Sequence, residues 1–228
     1  MAHKPLGRVV GKGLIVVPNG DKDDITEHWE AGRDIANFPH PFRAIMVARP
    51  HSGKTNLVAN IILKADPPFE RIVVFHVDND TQEYDIIDGA EITNEVPQIS
   101  DFEHGQKTLL IVEDIDIRGL KPDERSRLNR LMGYASTHRG VSVLITAQQP
   151  SQVPADIRRQ ATVFFLWPSH DLRAQADFAG RIGMKSDDLE QIMKTMMRNR
   201  YDFLCADLTH DSPAPLRRGL YEILERKQ

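Results

Sequence analysis

The most chemically loaded stretch of the chain is Ala48-Arg49-Pro50-His51-Ser52-Gly53-Lys54-Thr55. It has the spacing of a phosphate-binding loop, with alanine at the first position where the pattern asks for glycine. In such a loop, backbone N–H groups converge on a β-phosphate and a helix N-terminus stands behind them. The ammonium of Lys54 would then lie over the β- and γ-phosphates, and the Thr55 hydroxyl would ligate Mg²⁺. Arg49, Pro50, His51, Ser52, Gly53, Lys54 and Thr55 are therefore the candidate residues for binding ATP and Mg²⁺. Ala48 costs something only where that position needs a positive φ.

Further along, an apolar run ends in acids: Leu109-Leu110-Ile111-Val112-Glu113-Asp114. In phosphoryl transfer one carboxylate holds the metal shell, directly or through water, and a neighbour orients or deprotonates the attacking water. By position Glu113 takes the metal role and Asp114 the catalytic role. By residue type the roles exchange, so both acids are candidates for both. Gln148 follows the run Val141-Ser142-Val143-Leu144-Ile145, where a side-chain amide near a γ-phosphate can position water or report hydrolysis. Arg139, just before that run, has two readings. It is an arginine that reaches a neighbouring subunit's γ-phosphate, or a cation that favours a helix C-terminus.

Positioning these groups requires a particular order of elements. Short apolar runs at 44–47, 72–75, 109–112, 141–145 and 161–166 alternate with segments of helical periodicity. Residues 54–64 place Leu57, Val58, Ile61 and Ile62 on one helical face. Pro122 suits a first helical turn, and Leu128, Leu131, Met132 and Ala135 continue at helical spacing. Runs apolar on both faces and separated by helices predict buried parallel strands, hence an α/β fold with a mainly parallel central sheet. Residues 170–182 and 186–197 read as helices. Residues 201–208 and 218–224 read as a C-terminal β-hairpin around Pro213. Ahead of the loop lie a short strand at Leu14-Ile15-Val16-Val17, an Asn19-Gly20 turn signal and an acidic segment with Trp29 as an anchor. Three regions follow: an N-terminal extension over 1–40, a core over 41–170, and C-terminal helices and hairpin over 171–228 packed on that core.

Composition narrows the function classes. The 228 residues are 40% hydrophobic and 27% charged, which excludes a disordered tail protein. No run approaches the ~18 apolar residues of a spanning helix, and the first residues lack the apolar core of a secretory signal. The single cysteine, Cys205, excludes an intrachain disulfide and a cysteine-rich zinc site. A net charge of −4 rules out a globally basic nucleic-acid binder and leaves room for local basic surfaces. Arg118, Lys121, Arg125, Arg127, Arg130 and Arg139 form one such cluster. Arg181, Lys185, Lys194, Arg198 and Arg200 form another. Either could contact phosphates without sequence preference, or simply be a solvated helix face.

Taken together these residues resemble the FtsK–HerA superfamily of ring-forming DNA-pumping ATPases. Gln148-Gln149-Pro150-Ser151 is similar to the Gln-Arg-Pro-Ser that follows the sensor strand there, and Gly140 keeps the family's spacing before that strand. The lead-in from Pro41-Phe42-Arg43 to Ser52-Gly53-Lys54-Thr55 resembles the viral branch: the poxvirus-type genome-packaging ATPases and those of membrane-containing tailless bacteriophages. The resemblance covers roughly residues 38–170. The departures are Ala48, the inverted acidic pair, and Gln149 where arginine is common. The resemblance implies that the Gln148 strand lies between the loop strand and the Glu113 strand, with Gln148 as sensor. It places the trans arginine near Arg139, with Arg158 and Arg159 as alternatives. It further implies a Mg²⁺-dependent ATPase in a ring of identical subunits, driving double-stranded DNA into a preformed capsid. The partners would be a capsid vertex or portal-like viral protein and viral membrane proteins, in the host cytoplasm and at the packaging vertex of the virion. The rivals are another P-loop NTPase, such as a helicase or small-molecule kinase, and a nucleotide-binding scaffold with little turnover.

Overall fold

The computed structural model describes residues 9–10, 14–17, 38–82, 84–85, 87–169, 171–209, 212 and 215–226. The Asn19-Gly20 turn, the acidic segment with Trp29, and Pro213 lie outside them. In chain order the strands and helices begin with β1 (Val9–Val10), β2 (Leu14–Val17), β3 (Arg43–Val47), α1 (Lys54–Leu63), β4 (Arg71–Phe75), β5 (Ala90–Thr93) and β6 (Thr108–Val112). Helix α2 (Pro122–Arg130) runs through a π-helical turn, Leu131–Ala135, into α3 (Ser136–Arg139). Next come β7 (Val141–Ala147), α4 (Ala155–Arg158), β8 (Val163–Leu166), α5 (Leu172–Arg181), α6 (Ser186–Met196), β9 (Leu204–Asp207), β10 (Leu216–Arg218) and β11 (Glu222–Arg226). The chain divides into two compact units, residues 32–163 and residues 1–31 with 164–228.

The unit spanning 32–163 is built on parallel strands in the order β3-β7-β6-β4-β5. Its registers include Ile45↔Ile145, Leu110↔Val143 and Val73↔Leu110. Every residue of β6 and β7 is buried, so those strands are covered on both faces and show no polar alternation. Leu57, Val58 and Ile61 of α1 are buried, as are Leu128, Leu131, Met132 and Ala135 along α2 and its continuation. These are the helical stripes that the sequence periodicity predicts. Strand β5 was not anticipated. Ala90-Glu91-Ile92-Thr93 is an edge strand with one large aliphatic residue, too weak an apolar run to be read by pattern.

At the start of β3, His40 is tied into the sheet. Its Nδ1 lies 2.9 Å from Ser142 Oγ, which also accepts the Phe42 N–H at 3.1 Å. Burial, reinforced by the positive charge of Lys107, lowers the His40 pKa to about 4. In the unfolded chain the ring takes up a proton near pH 6.5, so between those values the unfolded state binds more protons. The stabilisation is complete above pH ~6.5 and falls as the pH drops toward 4. Urea midpoints measured from pH 7 to pH 4.5 are expected to fall more steeply for the wild type than for His40→Asn, which cannot titrate. Parallel slopes would show that His40 contributes nothing to acid sensitivity.

The other unit carries an antiparallel arrangement in the order β2-β11-β10-β9, with β1 paired to β2. The C-terminal hairpin is present, with three strands in place of two. Gly219, at φ 63°, turns the chain inside the predicted strand 218–224, so β10 and β11 form a hairpin of their own with Arg217 opposite Ile223. Strand β10 pairs with β9, and β11 pairs with β2. Trp167 packs on Phe203 with ring centroids 4.8 Å apart, and Met193, Met196 and Met197 are buried as core. Arg217 is 1% exposed. Its Nη1 donates to the Leu220 carbonyl at 3.0 Å and its Nη2 lies 3.4 Å from Cys205 Sγ. Burial pushes the Cys205 thiol up to about 11, which makes it a structural rather than a reactive group.

Candidate active site

In a parallel sheet every strand delivers its following loop to the same edge, and that edge holds the candidate residues. After β3 the chain enters the phosphate loop. The Ala48 N–H still bonds the Ala147 carbonyl at 3.1 Å, so the loop starts from a fixed point beside the end of β7. His51 at φ 59° and Gly53 at φ 89° are both left-handed. Gly53 is the N-cap of α1. Its positive φ is where glycine is needed, because a β-carbon would be strained there. Arg49, Pro50 and His51 are exposed, Ser52 is buried, and Thr55 is half-buried in the first turn of the helix.

Lys54 is 7% exposed. Its Nζ donates to the Ala48 carbonyl at 3.2 Å and lies 3.5 Å from Asp114 Oδ2. Gln148 Nε2 donates to the same Asp114 oxygen at 3.1 Å. The loop lysine, the second acid and Gln148, far apart in sequence, thus meet at one carboxylate. Strand order β3-β7-β6 makes this possible, and it is the order implied by the resemblance. Asp114 itself is left-handed, at φ 48°. Such backbone costs about 1–3 kcal/mol and persists where surroundings hold it. Here Thr146 Oγ1 accepts the Asp114 N–H at 3.0 Å.

The two acids occupy different environments. Glu113 is 3% exposed and accepts a hydrogen bond from the Tyr84 hydroxyl. Burial raises its pKa, against the opposing hydrogen bonds from Tyr84 and Thr146. Thr146 therefore bridges the pair, accepting from one acid's backbone and bonding the other's side chain. Asp114 is less buried and faces the loop lysine. Its Oδ1 is buried with no hydrogen-bond partner among the described residues. Thr146 and Tyr84 were missed by sequence reasoning. A lone hydroxyl at the end of an aliphatic strand was the available signal for Thr146; Tyr84 sits in an irregular connection with no motif around it.

The arginines fall elsewhere. Arg139 lies at the opposite end of β7 from Gln148, with the strand's length of about 20 Å between them at ~3.3 Å per residue. Its Nη1 donates to the Phe102 carbonyl at 2.6 Å. The geometry does not bring it to the phosphate loop of its own chain; it ties the end of α3 to the turn at Ile99–Asp101. Arg158 Nη1 donates to the Pro150 and Val153 carbonyls at 2.8 and 3.1 Å, fixing the turn after Gln148. Arg159 is exposed.

No protein-family model matches the chain. No curated protein sequence matches it either. Solved structures do. The genome packaging NTPase B204 from Sulfolobus turreted icosahedral virus 2, in complex with sulfate, aligns with a TM-score of 0.55 at 13% identity, over 79% of this chain and 96% of that one. The same protein in complex with ATP-γS gives a TM-score of 0.53 at 14% identity, over 78% and 97% of the two chains. B204 from Sulfolobus turreted icosahedral virus, described as a DNA-packaging ATPase, gives 0.54 at 13% identity over 79% and 97%. At such identities the likeness is one of fold: a P-loop NTPase fold, mainly parallel and flanked by helices, with antiparallel C-terminal strands.

Proposed function

We propose that the chain is a Mg²⁺-dependent ATPase that moves double-stranded DNA through a ring of identical subunits and packages a viral genome into a preformed capsid. The observation that carries this reading is the meeting of Lys54, Asp114 and Gln148 at the loop edge of the sheet. The triphosphate would lie in the 49–55 loop, with its γ-end toward Asp114. Lys54 would exchange Asp114 for phosphate oxygens as its counter-ion, and Asp114, freed, would hold or deprotonate the attacking water with Gln148 beside it. Among the described residues no three of His, Cys, Asp and Glu converge as a metal cage. That suits Mg²⁺, which rests on substrate phosphates with one or two protein ligands. The Thr55 hydroxyl and an acid fit it, and the unpartnered Asp114 Oδ1 is an oxygen available to it or to its water. When bound, the ion would neutralise charge on the phosphates.

Arg118, Lys121, Arg125 and Arg130 are exposed on α2 and its approach and could contact DNA phosphates. Arg127 is committed to the Val96 carbonyl. Of the three candidate trans arginines, Arg159 is the exposed one and would be the one to reach a neighbour's nucleotide. The capsid vertex or a portal-like viral protein, with viral membrane proteins, would complete the assembly in the host cytoplasm and virion. Phosphate release measured with and without double-stranded DNA, beside the mass of the assembled protein, tests the reading. Turnover stimulated by DNA, with the stimulation falling as salt rises, is the expected result. Phosphate transferred to a metabolite without a DNA effect would indicate a kinase. ATP binding with negligible turnover would indicate a scaffold.

A further inference from the structure

The turn that carries Gln148 is held by side chains of its own. Gln152 Oε1 accepts two successive backbone N–H groups, from Gln148 at 2.8 Å and from Gln149 at 2.7 Å. The Gln152 N–H returns to the Gln149 carbonyl at 3.1 Å, closing the short 3₁₀ turn Pro150–Gln152. Arg158 takes the Pro150 and Val153 carbonyls from the other side. Four backbone groups of a six-residue segment, 148–153, are thus tied by two side chains, Gln152 from inside the segment and Arg158 from the helix that follows it. A surface turn needs no such fixing to exist, since water satisfies exposed amides at little cost. The turn has one output toward the site, the Gln148 amide on Asp114 Oδ2.

We propose that Gln152 is a positioning residue: its side-chain oxygen fixes the first two amides of the turn and so sets the Gln148 side chain against Asp114. The proposal rests on the reading of the Lys54–Asp114–Gln148 cluster as a site of nucleotide hydrolysis. Gln152 itself touches none of those three side chains among the hydrogen bonds of the site. What matters is an acceptor at that point, not an amide. A carboxylate can accept both N–H groups as well, and more strongly, because charge-assisted bonds are the stronger kind. A thioether of the same length cannot.

The test is a series at one position: Gln152→Glu, Gln152→Met and Gln152→Ala, with Lys54→Ala as the inactive reference. Gln152→Met and Gln152→Ala are expected to lower kcat by about 10–100-fold, the scale of a small misplacement in a site. KM for ATP should stay within about threefold, because the phosphate loop is untouched. Gln152→Glu should stay within about threefold of wild type in both constants. Hydrogen exchange at the Gln148 and Gln149 amides should accelerate in the Met and Ala variants and not in the Glu variant, a readout that needs no turnover. Equal turnover in wild type and Gln152→Met overturns the proposal alone, as does a Glu variant as impaired as the Met variant. Wild-type turnover no higher than that of Lys54→Ala removes the underlying reading, and the proposal falls with it whatever the exchange pattern.

Discussion

Lys54→Ala is expected to reduce ATP turnover by at least ~10²–10³-fold, the usual loss when one preorganised donor to a developing charge is removed. The geometry argues for the upper end. The ammonium is buried, with two contacts: the Ala48 carbonyl and Asp114 Oδ2. Among the described residues no other cation is bonded to Asp114. The substitution also leaves Asp114 with Gln148 as its remaining side-chain donor. Like-charge repulsion between that carboxylate and a triphosphate would then weaken ATP binding as well. Affinity and turnover should therefore fall together, unlike the pattern expected at Gln152. A melting temperature within a few degrees of wild type would show that the loss is chemical rather than a failure to fold. A Lys54→Ala variant that hydrolyses ATP at the wild-type rate would mean that the loop does not hold a nucleotide in the way described.

Much of this site could be read from residue order because each part sits at a strand end. Val47 leads to the loop, Val112 to the acids and Ala147 to Gln148, and parallel strands bring all three ends to one edge. The same rule sets Arg139 apart from the loop of its own chain. A residue that precedes a parallel strand lies on the edge away from the loops that follow the strands. Arg139 precedes β7 and Gln148 follows it, so closeness in sequence meant separation in space. Tyr84 and Gln152 were illegible for a different reason. Each acts through one hydrogen-bonding atom placed by a loop, and loops have no period from which a direction can be inferred. The hairpin at Gly219 lies between these cases. Arg217-Arg218-Gly219-Leu220-Tyr221 carries a turn residue, but the flanking apolar positions are compatible with an unbroken strand.

The order Glu113-Asp114 leaves two assignments open in sequence, and the two acids have different environments. Glu113 is enclosed, its carboxyl engaged by Tyr84 and its pKa raised by burial. Asp114 faces Lys54 and Gln148 and keeps a buried oxygen without a partner among the described residues. On the proposed reading, the group that accepts a proton from water, or holds that water, needs an unengaged oxygen, and Asp114 Oδ1 is without a partner among the described residues. Asp114→Asn keeps the shape and removes the charge. It is expected to lower kcat by about 10²–10⁴-fold, the range for loss of a general base. KM for ATP should hold or fall, because the carboxylate that competes with phosphate for Lys54 is gone. Glu113→Gln, with the side chain still bonded to Tyr84 and Thr146, should cost much less in kcat and act instead through the Mg²⁺ dependence. Titrating Mg²⁺ against turnover in both variants distinguishes the roles. A large kcat loss at Glu113 with near-normal turnover in Asp114→Asn would reverse them, and would require the buried acid to move out from Tyr84 during the cycle.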